Sequence, residues 1–261
     1  MSRIEPLSKG KLSRYSQLRL KKHRDAERLF VAEGEKSVSE LLPVFEAECV
    51  VATPAWLESN ARKLHPHCPA FSAPADRLRR ISSMATPPEV LAILRQPEPT
   101  MPVLHPDTLY IALDGVQDPG NLGTIIRTAD WFGVDTIFAS PATVDVFNAK
   151  TVQATMGSLA RVKVVYTDLA ALFDAHRDIP VYGTLLDGDD IYTTPLSEGG
   201  FLVMGNEGNG LTPRIREMVS HKLLLPPYPL DNPHAESLNV GVATALVTAE
   251  FRRRTLSQSN G

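Results

Sequence analysis

Hydrophobic and polar residues alternate in blocks along the chain, and a proline-rich segment separates two such regions. Residues 96–106 contain four prolines in eleven positions. Proline has no backbone N–H and disfavours helix at the preceding residue, so this segment is predicted to be an extended linker. We therefore expect a domain over residues 1–96, a linker over 97–107, a second domain over 108–254 and a tail over 255–261.

The second region consists of strand-like runs that are apolar nearly throughout, separated by amphipathic pieces. Continuous apolar runs are typical of strands that are covered on both faces of a parallel sheet. The pattern therefore predicts an α/β fold, a three-layer sandwich in which helices cover a parallel sheet. The predicted strands are residues 109–116, 135–140, 162–167, 180–186, 201–206 and 221–226, and the predicted helices are 124–132, 149–157, 168–177 and 212–219.

The first region alternates between helical and strand-like patterns over a shorter length. Residues 37–45 and 75–84 have helical spacing, whereas residues 48–53, 68–73 and 87–96 are strand-like. This alternation predicts a small α/β domain of about a hundred residues.

Composition places the chain among ordinary globular proteins. Its 261 residues are 43% hydrophobic and 22% charged, and no apolar stretch approaches the roughly 20 residues that cross a bilayer. The N-terminus has no apolar signal-peptide region, and the two cysteines are too few for a disulfide scaffold. These features predict a cytoplasmic protein without a membrane partner.

The N-terminal leader carries an excess of positive charge. Residues 1–30 have a net charge of +6, whereas the rest of the chain sums to −9. Such a leader is either a polyanion-binding arm or a solvated helix face. Tyr15 is an aromatic residue among these cations and is the candidate for stacking on a nucleic-acid base. The candidate RNA-binding residues of the leader are Lys9, Lys11, Arg14, Arg19, Lys21, Lys22 and Arg24.

The first motif is the turn-rich loop 114–123, which follows a predicted strand and leads into a helix. Ligands of open α/β sheets bind at the carboxyl ends of the strands, so this loop is well placed for chemistry. Arg127 stands among apolar or small neighbours, and its planar guanidinium suits a phosphate. Alternatively, Arg127 caps a loop or pairs with Asp130. The glycine spacing differs from the dinucleotide-binding fingerprint G-x-G-x-x-G.

Two further motifs follow the last predicted strands. The loop 205–210 has three glycines in six residues, so its backbone could hydrogen-bond an adenine edge or a ribose; alternatively it is a flexible connection. Thr212 and Pro213 then begin a helix. In the third motif, Ser237 and Asn239 stand at the start of a small-residue helix, where Ser237 could simply be the N-cap.

Other residues were weighed as core or as metal ligands. Trp56 and Trp131 are most simply core residues. His65, His67 and Cys68 suggest a metal, but a structural zinc needs four ligands and no matching cluster stands elsewhere in the sequence. We therefore expect no metal.

Taken together, residues 121–129 (N-x-G-x-x-x-R-T-A), 205–211 (G-N-E-G-x-G-L) and 237–240 (S-L-N-V) resemble the SpoU/TrmH branch of the SPOUT RNA methyltransferases. The resemblance covers residues 108–254. Residues 24–36 are similar to the start of the family's L30e-like substrate-binding domain.

The resemblance implies a SPOUT-type parallel-sheet sandwich with a C-terminal trefoil knot, preceded by a small L30e-like α/β domain. It also implies a homodimer that packs through the helix after Ser237, and transfer of a methyl group from S-adenosylmethionine to a ribose 2′-hydroxyl of RNA. The implied cofactor-binding residues are Thr184, Leu185, Gly205, Glu207, Gly208, Leu225, Pro227, Ser237, Leu238 and Asn239.

The same resemblance implies roles for five catalytic candidates, Arg127, Asn121, Glu207, Ser237 and Asn239. Arg127 would hold the phosphate beside the reacting ribose, bind RNA and assist 2′-OH deprotonation. Asn121 would orient the loop or the substrate, Glu207 and Asn239 would fix the geometry, and Ser237 would contact the RNA or the cofactor.

Three alternatives stay open at this point: a tRNA ribose methyltransferase, a methyltransferase acting on a base nitrogen, and a non-catalytic RNA-binding protein. The L30e-like domain favours ribosomal RNA. The segment 227–236 is longer and richer in proline than is usual in the family, and His234 within it is a candidate base or an ordinary exposed histidine.

Overall fold

The computed structural model describes residues 4–60, 62, 64, 67–229 and 235–258. From residue 109 to 226 the strands and helices follow the predicted order, whereas five elements of the first region were not predicted: Ile4–Pro6, Lys9–Ser16, Lys21–Glu27, Leu29–Glu33 and Pro54–Asn60. The strands are β1 Ile4–Pro6, β2 Leu29–Glu33, β3 Ala47–Ala52, β4 Ala70–Ser72, β5 Val90–Arg95, β6 Leu109–Asp114, β7 Thr136–Ala139, β8 Lys163–Tyr166, β9 Val181–Asp190, β10 Gly200–Gly205 and β11 His221–Leu224. The helices are α1 Lys9–Ser16, α2 Lys21–Glu27, α3 Gly34–Leu41, α4 Pro54–Asn60, α5 Ala75–Ile81, α6 Pro119–Trp131, α7 Ala149–Ala154, α8 Leu169–Ala175, α9 Pro213–Met218 and α10 Val240–Gln258.

The N-terminal unit is built on a mixed five-stranded sheet with the order β1-β4-β3-β5-β2. Strands β1, β4 and β3 run parallel, and β5 pairs antiparallel with both β3 and β2. Apolar residues of the sheet, α1 and α5 form one buried cluster, in which Leu12 and Tyr15 of α1 meet Phe71 and Leu78. Burial of such side chains is the main stabilising contribution to a unit of this size.

This unit contains a segment that the sequence analysis had placed in the second domain. Asp145–Ala160 groups with the N-terminal unit, whereas Pro99–Val144 and the residues from Arg161 onward form the second unit. The ring of Phe147 lies 4.7 Å from that of Phe30, and the Asp145 carboxylate binds Arg24. The helix predicted over 149–157 is present as α7, but it packs on β2.

Within the second unit, six parallel strands form one sheet with the order β11-β9-β10-β6-β7-β8. The prediction of an α/β fold with a parallel sheet is confirmed. Four aromatic rings, those of Tyr110, Phe138, Phe173 and Phe201, pack with centroids 5.0–6.0 Å apart on this sheet. The helix α10 extends to Gln258, so the residues predicted as a tail from 255 onward begin within a helix.

Three side chains contradict their sequence-based assignments because their surroundings differ from those expected. Tyr15 is fully buried, so the prediction that it stacks on a base is wrong. Arg24, a predicted RNA-binding residue, is only 3% exposed, because its guanidinium binds Asp145 and the carbonyls of Leu18 and Arg19. Trp131, predicted to be core, is 85% exposed, whereas Trp56 is buried as expected.

Candidate functional site

The three motifs of the second unit follow strands that are neighbours in its sheet. Because β6, β10, β9 and β11 are parallel and adjacent, their carboxyl ends lie at one edge. The first motif follows β6, the glycine-rich loop follows β10, and Leu225–Pro227 follows β11. The sheet therefore brings segments more than a hundred residues apart to a single edge.

The first loop enters its helix through a well-formed cap. Gly115 has a φ of +78°, a conformation that side chains other than glycine rarely adopt. The carboxylate of Asp118 accepts a hydrogen bond from the Asn121 N–H at 2.8 Å, and Pro119 occupies the first turn of α6. This cap fixes the direction in which the Asn121 side chain leaves the helix.

The glycine-rich loop is closed on itself. Asn206 and Gly210 exchange backbone hydrogen bonds of 2.9 Å in both directions, and Gly210 has a φ of +67°. A Cβ on Gly205 would lie 2.4 Å from the carbonyl carbon of Gly210, so only glycine fits there. The loop is therefore a closed, hydrogen-bonded turn.

Asn206 and Asp114 hold this loop against the first motif, and the sequence analysis assigned neither of them to the site. The Asn206 Nδ2 donates to the Gly115 carbonyl at 2.8 Å, while its Oδ1 accepts from the N–H groups of Gly208 and Asn209 at 3.0 Å. The buried Asp114 carboxylate accepts from the Thr212 N–H at 2.6 Å. An asparagine within a glycine cluster and an aspartate ending an apolar strand were the signals available in the sequence.

Glu207 lies at the centre of a hydrogen-bonded group that joins the two loops. Its Oε1 accepts from the Asn121 Nδ2 at 3.0 Å and from the Asp118 N–H at 3.3 Å, and its Oε2 accepts from the Gln117 N–H at 3.3 Å. Partial burial is the largest single influence and raises the pKa of Glu207, but these hydrogen bonds together outweigh it and lower that pKa. Glu207 is therefore an ionised acceptor, which suits it to orienting donors.

Asn239 joins the third motif to the same hydrogen-bonded group. The available donors and acceptors fix the orientation of the side-chain amides of Asn121 and Asn239. The carboxylate of Glu207 can only accept, so Asn121 must turn its Nδ2 towards it and present its Oδ1 to Asn239. The Asn239 Nδ2 donates to that Oδ1 at 2.9 Å, and its own Oδ1 accepts from the N–H groups of Gly241 and Val242. Asn239, not Ser237, thus caps α10.

Arg127 is exposed on α6 and takes no part in these hydrogen bonds. Asp130, its suggested partner, instead binds the guanidinium of Arg161 through two bonds of 2.8–2.9 Å. No ion pair or hydrogen bond joins the Arg127 side chain to any other residue in the described part of the chain. Six residues separate Arg127 from Asn121, a rise of about 9 Å along the helix.

The remaining cofactor candidates lie along the same strand ends. The Thr184 hydroxyl of β9 lies 3.4 Å from the Val203 carbonyl of β10, and Leu185 is half-buried against the core of the sheet. Leu225 and Pro227 are half-buried, and Gly208, Ser237 and Leu238 are exposed. A Cβ on Gly208 would meet nothing closer than 3.7 Å, which leaves its backbone open to a ligand.

His65, a candidate metal ligand, and His234, a candidate base, lie outside the described residues, as do all positions of the 230–234 stretch. In the part of the chain that is described, no three His, Cys, Asp or Glu side chains are grouped to hold a metal ion. None of the described helices is both long and apolar enough to span a bilayer.

Glu207→Gln is expected to show over which pH range this carboxylate stabilises the folded protein. Because the pKa of Glu207 is lowered on folding, its contribution is present above the unfolded value of about 4.3 and is lost as pH falls through the folded value. The melting temperature of the variant should fall below that of the wild type by a constant amount from about pH 6 to 8. That difference should shrink below about pH 4.

Thermal denaturation followed by circular dichroism across this range measures the effect. Glu198→Gln serves as the control, since Glu198 is exposed and makes no hydrogen bond through its side chain within the described residues. A wild-type–variant difference that grows on acidification would contradict the assignment.

Comparison with known proteins agrees with this geometry. The SpoU rRNA Methylase family matches residues 108–249, and the MRM3-like substrate binding domain matches residues 10–92. The chain is 33% identical to the 23S rRNA (guanosine(2553)-2′-O)-methyltransferase of Bacillus subtilis, over 97% of this chain and 100% of that one.

Solved structures agree as well. A putative RNA methyltransferase of the TrmH family from Porphyromonas gingivalis is 39% identical, with a TM-score of 0.84 over 95% of this chain and 99% of that one. An AdoMet-bound rRNA methyltransferase from Sinorhizobium meliloti is 31% identical, with a TM-score of 0.83 over 96% and 98% of the two chains. With its three motifs at one sheet edge and matches over nearly its whole length, this chain belongs to the SpoU rRNA methylase family.

Proposed function

We propose that this protein is an RNA (ribose-2′-O)-methyltransferase that uses S-adenosylmethionine and acts on ribosomal RNA of the 23S type. The observation that carries the proposal is the chain of hydrogen bonds Glu207–Asn121–Asn239, which links all three motifs at one edge of the parallel sheet. Folding alone does not require a hydrogen-bonded chain of side chains that joins three distant loops near the surface. A ligand-binding site does require its loops to be held in a fixed arrangement.

The residues along this edge fit the cofactor. The open backbone of Gly208, the closed loop from Gly205 and the half-buried Leu185 and Leu225 offer hydrogen-bonding and apolar surface for an adenosine moiety. Pro227, Thr184 and residues 237–239 complete the proposed binding set. When bound, the cofactor supplies a methyl group on a positively charged sulfur, so no metal is needed to activate the leaving group.

Arg127 is proposed to act on the acceptor. A ribose hydroxyl is a poor nucleophile, and its proton must leave as the new bond forms. An exposed guanidinium that no carboxylate neutralises in the described structure can hold the adjacent phosphate and stabilise negative charge on the 2′-oxygen. Glu207 and Asn239 position Asn121 through their hydrogen bonds, and Ser237 is proposed to contact the RNA or the cofactor.

We further propose a homodimer and a knotted C-terminal segment. Trp131 on α6 and Val242 and Leu246 on α10 are 85%, 48% and 43% exposed, and these two helices pack together, so apolar side chains of both helices face solvent. A second copy of the chain is the proposed occupant. After the edge strand β11, the chain returns to the start of α10, which lies beside α6. This path is consistent with the trefoil knot of the family.

The dimer proposal predicts that a charge on this surface separates the protomers. Leu246→Glu should convert a dimer to a monomer in light scattering after size-exclusion chromatography, because a carboxylate would be desolvated at the interface. Tyr192→Glu, at an exposed position elsewhere in the second unit, should stay dimeric. A Leu246→Glu protein that elutes as the wild type does would contradict this surface.

The experiment for the reaction itself uses labelled cofactor and an unmodified in vitro transcript of 23S rRNA. Transfer of label, followed by alkaline hydrolysis, should yield a dinucleotide that resists cleavage, since a 2′-O-methyl group blocks attack on the phosphodiester. Label in a mononucleotide would instead indicate base methylation. Cofactor-independent RNA binding without transfer would indicate a non-catalytic protein, and transfer to tRNA alone would indicate a tRNA enzyme. We place the reaction in the cytoplasm.

A further inference from the structure

Basic side chains of the N-terminal unit fall into two groups, according to whether a carboxylate neutralises them. In the first group, Arg14 binds Glu27 and Glu48, and the buried Arg24 binds Asp145. Lys21 and Lys36 likewise pair with acids four residues further along their helices. Much of the positive charge of the leader is therefore used within the fold.

The second group also includes Lys9, Lys11, Lys22 and Lys150, but four of its members lie on or beside α5 and are called here the α5 cluster. The cluster members form no ion pair within 4 Å among the described residues; three of them stand on α5 and one in the leader. Arg79 and Arg80 are exposed in the last turn of α5. The members of the α5 cluster are Arg19, Arg77, Arg79 and Arg80.

Arg19 is tied to backbone at the C-terminal end of α5, and Arg77 is tied to backbone near its N-terminal end. The Arg19 guanidinium donates to the carbonyls of Arg79 at 2.8 Å and Ile81 at 3.4 Å, and also to that of Ser82. The Arg77 Nη1 donates to the Leu7 carbonyl at 2.9 Å. The Arg19 bonds place its guanidinium group beside Arg79 and Arg80, whereas Arg77 stands less than one turn earlier on the same helix.

Helix capping does not account for the cluster. Cations do stabilise the C-terminal end of a helix, but Arg19 already satisfies the terminal carbonyls of α5. Asp76 stands one turn before Arg80, yet the two side chains form no ion pair. Since none of these arginines forms an ion pair in the described part of the chain, their positive charge remains available to a polyanion.

The loop that follows α5 is held in a fixed shape by the buried carboxylate of Glu33. It accepts hydrogen bonds from the Ser82 hydroxyl at 2.5 Å, the Ser83 hydroxyl at 2.6 Å and the Ser83 N–H at 2.9 Å. Residues 85 and 86 at the tip of the loop are nevertheless exposed. An exposed loop pinned to the core presents its backbone to a partner with little loss of conformational entropy.

We propose that the α5 cluster and the loop 82–88 form the surface of the N-terminal unit that binds the phosphate backbone of the substrate RNA. This inference rests on the proposed function. It places the RNA contact at the end of α5, where only Arg19 of the predicted leader residues takes part. Guanidinium groups suit this role because their planar donors match phosphate oxygens.

The test compares two double variants that each remove two positive charges. The variant Arg79→Gln/Arg80→Gln removes two positive charges from the α5 cluster. The matched control Lys36→Gln/Lys150→Gln removes two positive charges from exposed positions on α3 and α7 of the same unit. Binding of a 23S rRNA transcript is followed by fluorescence anisotropy from low to moderate salt. Cofactor binding is measured by calorimetry, and melting temperature reports folding.

The cluster variant should bind the transcript about tenfold more weakly, and its salt dependence should fall by about 1.4 in the slope of log K against log salt, as two lost phosphate contacts require. Its cofactor affinity and its kcat at saturating RNA should match those of the wild type, while KM for RNA rises. The control should change affinity by less than about threefold.

Equal weakening in both double variants would overturn the proposal, since attraction would then be diffuse. Unchanged affinity in the cluster variant would overturn it as well. A wild-type protein that transfers no methyl group to any RNA would instead count against the proposed function, so the two failures are distinguishable.

Discussion

Arg127→Ala should lower the rate of methyl transfer by at least about a hundredfold while leaving cofactor affinity unchanged. The expected loss is of the size found when one preorganised donor to a developing negative charge is removed. Cofactor binding should survive because Arg127 makes no hydrogen bond to the loops 114–118, 205–210 or 237–239 in the described structure. Single-turnover transfer of labelled methyl and calorimetry with the cofactor measure the two quantities.

Arg161→Ala is the matched control for this variant. Arg161 also reaches α6 as a half-exposed arginine, but its guanidinium is bound by Asp130, and surface ion pairs contribute roughly 0–1 kcal/mol. Its transfer rate should stay within about threefold of the wild type. An Arg127→Ala protein with near-normal turnover would remove Arg127 from the chemistry.

Arg24→Ala should destabilise the N-terminal unit by about 3–5 kcal/mol, the usual cost of removing one partner of a buried ion pair. The change leaves the Asp145 carboxylate without its cation and the carbonyls of Leu18 and Arg19 without a donor. Since a domain is stable by only about 5–15 kcal/mol, the loss is large. Urea unfolding followed by circular dichroism measures it.

Two further variants make this prediction specific. Lys21→Ala removes an exposed pair on the same helix and should cost only about 0.5 kcal/mol. The double variant Arg24→Ala/Asp145→Ala should be more stable than Arg24→Ala alone, because no unpaired carboxylate is then left behind. If the free energy of unfolding of Arg24→Ala lies within about 1 kcal/mol of the wild-type value, the Arg24–Asp145 ion pair does not hold Asp145–Ala160 in place.

Local rules predicted the elements of this protein well because each element depends on neighbours in sequence. The six parallel strands of the second unit were found from continuous apolar runs, since burial on both faces leaves no polar positions. The start of α9 at Pro213 followed from Thr212 and Pro213, although Thr212 makes no side-chain cap and donates its N–H to Asp114. Strand β2 was missed because its five residues are preceded directly by α2.

Charge and hydrophobicity predicted less well where a distant partner decides the outcome. Arg24 was read as exposed because arginine is rarely buried without a partner, and its partner stands 121 positions away. Trp131 was read as core because its size favours burial, but hydrophobicity does not distinguish the interior of one chain from a surface that another chain can cover.

The sequence by itself determined the six strands of the parallel sheet, the position of the glycine-rich loop, and the residue types that the family site requires, because these follow from propensity, periodicity and backbone sterics. Only the tertiary structure decided which side chains meet: Glu207 with Asn121 and Asn239, Arg24 with Asp145, and Arg19 with the end of α5. Hydrogen bonds and ion pairs act over a few ångströms in space, and separation along the chain carries no information about that distance.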